Sequence, residues 1–162
     1  MSSYVYSSVL DDANDYRFVA LNIKKFKGRK CMVPYIVNSS FALELYLKSI
    51  LIANRIYYKS NHSLIELFKL IPDNIKKILI SNFNNLEEVL IKYNDAFIKF
   101  RYHYELYDIK TGKEKDEMIL CFNTDEIESL LLLFHKYCND NYLNVDFVEM
   151  QMELNRKVSK NE

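Results

Sequence analysis

The segment FALELYLKSILI, residues Phe41 to Ile52, gives the strongest indication of the fold. It forms the centre of a predicted helix from Pro34 to about Asn54, and a proline suits the first turn of such a helix. Apolar side chains fall on nearly every side of it: Ile36, Val37, Phe41, Leu43, Leu45, Leu47, Ile50, Leu51 and Ile52. A helix that is apolar all round is a buried one. The sequence therefore predicts an all-α bundle packed around this central helix.

The composition fits one soluble helical domain. The chain has 162 residues, of which 49% are hydrophobic, and this is enough for one buried core. It contains only 2 Gly and 2 Pro. All-β folds need many turns that use these residues, so their scarcity favours long helices.

Charge and cysteine content exclude several classes of protein. The 22 basic and 22 acidic side chains cancel, so no strong overall field draws in nucleic acid, although a local basic patch is compatible with this balance. The three cysteines form no close pair, which favours reduced thiols over a zinc site or a secreted disulfide framework. The N-terminus lacks a signal-peptide pattern, and the apolar segment Phe41 to Ala53 is too short to span a bilayer. We therefore expect a cytoplasmic protein without a membrane span.

The remaining elements are predicted from apolar periodicity and from their boundary residues. We expect one domain over residues 1–144, and a helical tail over residues 145–162 that frays at its end. A short β-hairpin is expected within residues 107–122. The other predicted helices run from Ser8 to Phe26, Leu64 to Leu70, Asp73 to Phe83, Leu86 to Leu106 and Thr124 to Tyr142. Asn123 and Glu126 have the spacing of a capping box for the last of these.

The segment DAFIKFRYHYEL, Asp95 to Leu106, carries an arginine between two apolar groups of its predicted helix. Arg101 and His103 would lie about 200° apart around that helix, so they do not form one site. A buried arginine needs a charged partner. We expect Arg101 to pair with Glu44, and Glu105 with Lys48 or Arg101. Glu44 and Lys48 already have the favourable i,i+4 order. This cluster either holds the fold together or lines a pocket for a phosphate or a base.

Three segments together resemble HEPN-domain proteins. These are FALELYLKSILI (41–52), NHSLIELF (61–68) and AFIKFRYHYE (96–105), in the order and at the spacing of that family. The resemblance covers about Asp11 to Tyr142. It implies an antiparallel up-and-down helical bundle, commonly a homodimer. It also implies a role with nucleotides or RNA, often in bacterial defence or toxin–antitoxin systems and in some cases beside a small nucleotidyltransferase.

Active members of that family are metal-independent endoribonucleases, whose arginine and histidine lie a few residues apart near the dimer axis. This chain departs from the pattern, because no histidine follows Arg101 at the required distance and no arginine precedes His135 on the last helix. Only RIYYKSNH, Arg55 to His62, has a suitable spacing, and it comes earlier in the chain than the family's pair. His62 has a second interpretation, in which it packs against the start of the next helix.

The leading expectation is a HEPN-like module that associates with RNA or nucleotide and lacks the usual catalytic pair. One alternative is a metal-independent endoribonuclease that uses Arg55 and His62. Another is a helical dimerisation scaffold in which Glu44, Lys48, Arg101 and Glu105 only stabilise the fold. No cofactor is expected. The histidines at positions 62, 103 and 135 do not have the spacing of metal ligands, so no metal is expected either.

Overall fold

The computed structural model describes residues 3–26, 31–59, 61–94, 100 and 123–142. Its described part contains helices and no strand, which confirms the predicted all-α class. The expected β-hairpin and the tail from residue 145 lie outside these residues. The helices are α1 (Ser3–Lys24), α2 (Met32–Ala53), α3 (Leu64–Lys69), α4 (Asp73–Asn82), α5 (Leu86–Lys92) and α6 (Thr124–Tyr142).

Helix α2 is the buried centre of the bundle, as predicted. Pro34 lies in its first turn, and twelve of its residues are buried. By length and composition alone α2 could cross a membrane. Its buried side chains instead pack against the other helices and form one continuous core with them. The buried residues of α2 are Tyr35, Ile36, Ser39, Ser40, Ala42, Leu43, Glu44, Tyr46, Leu47, Ser49, Ile50 and Leu51.

Helices α2 and α6 run parallel. The Tyr35 hydroxyl donates to the carbonyl of Thr124 at 3.2 Å, near the start of both helices. Near their ends, Asn54 Nδ2 donates to the hydroxyl of Tyr142 at 3.0 Å. These two pairs are separated by 89 and 88 residues in the sequence. A nearly constant separation along two helices means that they point in the same direction.

Helix α1 runs in the opposite direction. Lys24, at its end, forms an ion pair of 2.7 Å with Glu128 near the start of α6. Asn14 donates to Asn139, near the end of α6, at 3.2 Å. Because α6 is parallel to α2, α1 is antiparallel to both. This is the up-and-down arrangement predicted from the sequence.

Helix α1 extends further at its N-terminus than predicted. The helix begins at Ser3, before the predicted Ser8. Of its side chains that the structure describes, Leu10, Ala13 and Ala20 are fully buried. Tyr16, Val19 and Phe26 are exposed, and Phe26 lies beyond the end of the helix at Lys24. The two buried alanines leave room for close packing, and the larger aromatic side chains lie to the side of the contact.

Helix α5 is shorter than predicted. It ends at Lys92, and Tyr93 and Asn94 form a turn, so the helix is not continuous from Leu86 to Leu106. The side chain of Asn94 accepts hydrogen bonds from the Ser63 hydroxyl at 2.7 Å and from the amide of Ile65 at 3.1 Å. These bonds to a distant segment account for the turn, because they hold Asn94 against the start of α3.

The first turn of α6 is capped by Asn123, as predicted. Its Oδ1 accepts from the amides of Asp125 and Glu126, at 3.0 and 3.3 Å. The side chain of Glu126 does not complete a capping box. It accepts instead from the Tyr93 hydroxyl at 2.6 Å and from Lys92 Nζ at 2.8 Å, and so ties α6 to the end of α5.

Glu126 should make stability depend on pH. Burial raises its pKa, but the hydrogen bonds from Lys92 and Tyr93 outweigh burial and leave the pKa below its usual value. A carboxyl group whose pKa is lower in the folded than in the unfolded state stabilises the protein at pH values above its unfolded-state pKa. This stabilisation is lost as the pH falls through its folded-state pKa. Glu126→Gln keeps an acceptor but loses the charge, so we expect it to cost about 1 kcal/mol at pH 7.

The difference between wild type and Glu126→Gln should shrink as the pH falls through the pKa of the native carboxylate, which lies below its usual value. Urea unfolding at several pH values measures it. A difference that stays constant across this range would mean that the charge of Glu126 contributes nothing to stability.

Candidate functional site

The centre of the candidate site is a buried carboxylate on α2. Glu44 is only 1% exposed. Its Oε1 accepts from Lys48 Nζ at 2.5 Å, one turn further along the helix. This confirms the i,i+4 pair expected from the sequence. Within the part of the chain that the structure describes, Oε2 has no hydrogen-bond partner.

His62 is the second partner of Glu44. Its Nδ1 lies 3.0 Å from the same Oε1. The imidazole is 49% exposed, so its Nδ1 edge meets the buried carboxylate while the ring reaches the surface. The sequence did not predict this pair, because it assigned Arg101 to Glu44. A contact between residues 18 positions apart depends on how the loop folds back onto α2.

Tyr58 covers the ion pair from the side. Lys48 Nζ lies 5.9 Å from the centre of the Tyr58 ring, within the range of a cation–π interaction. Burial and the nearby charge of Glu44 both raise the pKa of the Tyr58 phenol. The phenol therefore stays neutral, and its ring packs against the ion pair and the core.

The segment after Tyr58 is held at its far end by hydrogen bonds. Asn61 Oδ1 accepts from the amide of Ser63 at 2.9 Å, which is an Asx-turn. The Ser63 hydroxyl caps α3 by accepting from the amide of Glu66 at 3.2 Å, and it donates to Asn94. His62 lies between these two anchored residues, so its backbone has a defined position.

Arg55 lies just beyond the end of α2 in a left-handed conformation, with φ of 57°. Its amide donates to the carbonyl of Ile52 at 2.9 Å, and the amide of Ile56 donates to the carbonyl of Leu51 at 2.8 Å. These two bonds form a Schellman motif, in which the residue at this position is usually glycine. The Arg55 side chain is exposed and makes no hydrogen bond or ion pair with any described residue.

The proposed site residues therefore separate into three groups. Glu44 and Lys48 form one cluster, which His62 joins. Arg55 lies at the other end of the same loop, without a bond to His62. Arg101 and Glu105 lie outside the described residues, so their pairing with Glu44 and Lys48 stays a prediction. Among the residues that are described, no group of three His, Cys, Asp or Glu could hold a metal ion.

Comparison with known protein families places the matched segment in the middle of the chain. The sequence model of the HEPN domain matches residues 35–134. The matched segment is more than half of the 162 residues and includes Glu44, Lys48, Arg55 and His62. No curated protein and no solved structure matches the chain.

The ion pair in α2 can be tested by a double-mutant cycle. Lys48→Met leaves a buried carboxylate with a half-exposed imidazole as its described partner, and should destabilise the protein by about 3 kcal/mol. Adding Glu44→Gln removes the stranded charge and should restore most of that loss. Chemical denaturation of the four proteins in the cycle measures this coupling.

Lys69→Met is the matched control for that cycle. Lys69 and Glu66 form an ion pair of 2.7 Å with both side chains more than half exposed. Removing it should change stability by less than about 1 kcal/mol. If Lys48→Met costs no more than Lys69→Met, Glu44 is not a buried charge that depends on Lys48.

The left-handed residue gives a further prediction. Arg55→Gly removes the steric penalty of a Cβ at this φ, and should stabilise the protein by about 1 kcal/mol. Arg55→Ala keeps the Cβ and should bring no such gain. Urea unfolding of both variants separates the backbone effect from the loss of the guanidinium. An equal effect of the two substitutions would contradict the role of the Schellman motif.

Proposed function

The chain belongs to the HEPN domain family, and from this premise we propose that it binds single-stranded RNA or a nucleotide without cleaving it. At the level of the family, it is a helical module of the nucleotide- and RNA-associated class. We propose that the binding surface is the segment of residues 54–63 between α2 and α3, which we call the 54–63 loop. The proposed setting is a bacterial defence or toxin–antitoxin system, with the protein acting as a cytoplasmic homodimer beside a partner such as a nucleotidyltransferase.

The observation that carries this proposal is the exposure of Tyr57. Its side chain is 85% exposed, more than any other large apolar side chain that the structure describes. Arg55 and Lys59 flank it and are exposed as well. The 54–63 loop contains no acidic residue. Single-stranded nucleic acid is bound by this combination, in which bases stack on aromatic rings and cations contact phosphates.

Glu44, Lys48 and His62, which we call the Glu44 cluster, attach the 54–63 loop to α2. His62 and Tyr58 both contact the buried pair of Glu44 and Lys48, so that the loop is attached to α2 near its C-terminal part. Asn61 and Ser63 attach its end to α3. A pre-ordered loop loses less conformational entropy when it binds a ligand. On this proposal Glu44 and Lys48 position the loop, and Arg55, Tyr57 and Lys59 contact the ligand.

A second function is favoured by the contact between Glu44 and His62. A buried carboxylate beside Nδ1 of a histidine orients the imidazole ring. In that case His62 acts as the acid–base group and Arg55 stabilises phosphate charge during metal-independent RNA cleavage. The absence of a described bond between Arg55 and His62 ranks this function second.

One set of assays separates the two functions. We expect the protein to bind unstructured RNA with a strong dependence on salt, and to leave it intact in the absence of metal. Tyr57→Ala should weaken binding about tenfold, because stacking on one base contributes roughly 1–3 kcal/mol. Arg55→Gln should weaken binding and reduce the slope of affinity against salt by about 1.

Phe18→Ala is the matched control, because Phe18 is also exposed, at 68%, but lies on α1. It should leave RNA affinity unchanged. Cleavage that is lost in a folded His62→Ala variant would replace the binding function by the nuclease function. If RNA and mononucleotides fail to bind and no cleavage occurs, only the scaffold alternative is left.

A further inference from the structure

A second polar cluster lies on the other side of α2, between α1 and α6. We call it the α1–α6 cluster; it comprises Asn14, Arg17, Tyr46, His135 and Asn139. Glu44 and Tyr46 point in directions about 200° apart around α2, so this cluster is separate from the Glu44 site. Asn14, Arg17, His135 and Asn139 are half-buried, so each of them is partly exposed to solvent.

One nitrogen of His135 is fully engaged inside the cluster. Its Nδ1 lies 2.9 Å from Asn14 Oδ1, 2.8 Å from Asn139 Nδ2 and 3.2 Å from the Tyr46 hydroxyl. The Tyr46 hydroxyl also donates to Asn14 Oδ1 at 2.8 Å. These contacts hold the ring in place. When Nδ1 accepts from Asn139 Nδ2, the ring proton is on Nε2, which can then donate to a ligand.

Arg17 lies one turn after Asn14 on the same side of α1, and its positive charge acts on Tyr46 and His135. No described residue balances this charge by an ion pair. Its Nε is buried and has no hydrogen-bond partner among the described residues. Buried donors are nearly always satisfied, and an unsatisfied one is costly. The guanidinium fork fits a phosphate, to which it can donate two parallel hydrogen bonds.

The charges around His135 also favour an anion. Burial lowers the pKa of His135, the charge of Arg17 lowers it further, and Asp140 opposes both. Tyr46 faces it from α2, and burial raises the pKa of that phenol, so it stays neutral. Cys138, which is buried three residues after His135 on α6, is also neutral, since burial raises the pKa of its thiol to about 12. The only acidic group that acts on His135 among the described residues is Asp140, which is exposed.

We propose that the α1–α6 cluster binds a phosphate group, with Arg17 and His135 Nε2 as its donors. Neither residue lies within residues 35–134, so the family match assigns them no role. The phosphate comes either from the monoester of a nucleotide or from the diester backbone of RNA. This inference goes beyond the proposed function, because it concerns another face of the bundle and does not depend on the 54–63 loop.

The direct test follows the imidazole signals of His135 by NMR during a titration with inorganic phosphate. Binding should raise the pKa of His135, because an anion stabilises the imidazolium. Arg17→Gln should weaken phosphate binding by about tenfold or more, since it removes a charge-assisted donor. The same variant should raise the pKa of His135 in the absence of phosphate, because it removes a neighbouring cation. A purely structural arginine would not produce the loss of phosphate affinity.

Lys136→Gln is the matched control, because it removes one positive charge from the exposed residue next to His135. It should leave phosphate binding unchanged. If Arg17→Gln does not fold, Arg17→Lys and His135→Gln serve in its place, and calorimetry then measures phosphate affinity. His135 signals that do not respond to millimolar phosphate, or that respond equally in wild type and the Arg17 variant, would overturn the proposal.

Two further ligands distinguish the source of the phosphate. Adenosine monophosphate carries a monoester, whereas a short RNA without terminal phosphates carries only diesters. A response of His135 to the first alone identifies a nucleotide site, and a response to the second identifies a backbone site. Tyr57→Ala should leave both responses unchanged. The experiment therefore tests phosphate binding by the α1–α6 cluster independently of RNA binding by the 54–63 loop.

Discussion

A carboxylate buried in the most apolar helix is the constraint on which the arrangement around α2 depends. Glu44 is surrounded by core side chains, and an isolated charge there would be strongly destabilising. Lys48 supplies the opposite charge from the same helix, and His62 must come from the loop to reach the same oxygen. The contact of His62 with Glu44 fixes the position of the loop, and the neighbouring residues Asn61 and Ser63 fix the start of α3. Asn94 then bonds to that start and ends α5.

Local signals predicted much of this fold correctly. The burial of α2 could be predicted because its apolar residues leave almost no polar side. Helices α3, α4 and α6 begin directly after Ser63, Pro72 and Asn123. The resemblance to the HEPN family is confirmed by the match over residues 35–134. The length of α5 was wrong, because its end depends on bonds between Asn94 and residues about thirty positions away.

The site was predicted less well than the fold, for the same physical reason. The pair of Glu44 and Lys48 follows from i,i+4 geometry within one helix. The contact between Glu44 and His62 does not, because it depends on a loop that turns back. The α1–α6 cluster was missed entirely, since its members come from three helices. The signal that could have found it is a set of polar residues, Asn14, Arg17, Tyr46 and His135, at positions that face the core or its edge.

The parallel pairing of α2 and α6 has a consequence for how the chain reaches its native state. Helices α1 and α2 are neighbours in sequence, so they can associate soon after both have formed. The contacts of α6 with α2 join residues 88 and 89 positions apart, and such contacts form late because a long loop must close first. During synthesis, one apolar face of α2 therefore stays exposed to solvent until α6 has left the ribosome. We expect this interval to be the time at which the nascent chain depends most on chaperones.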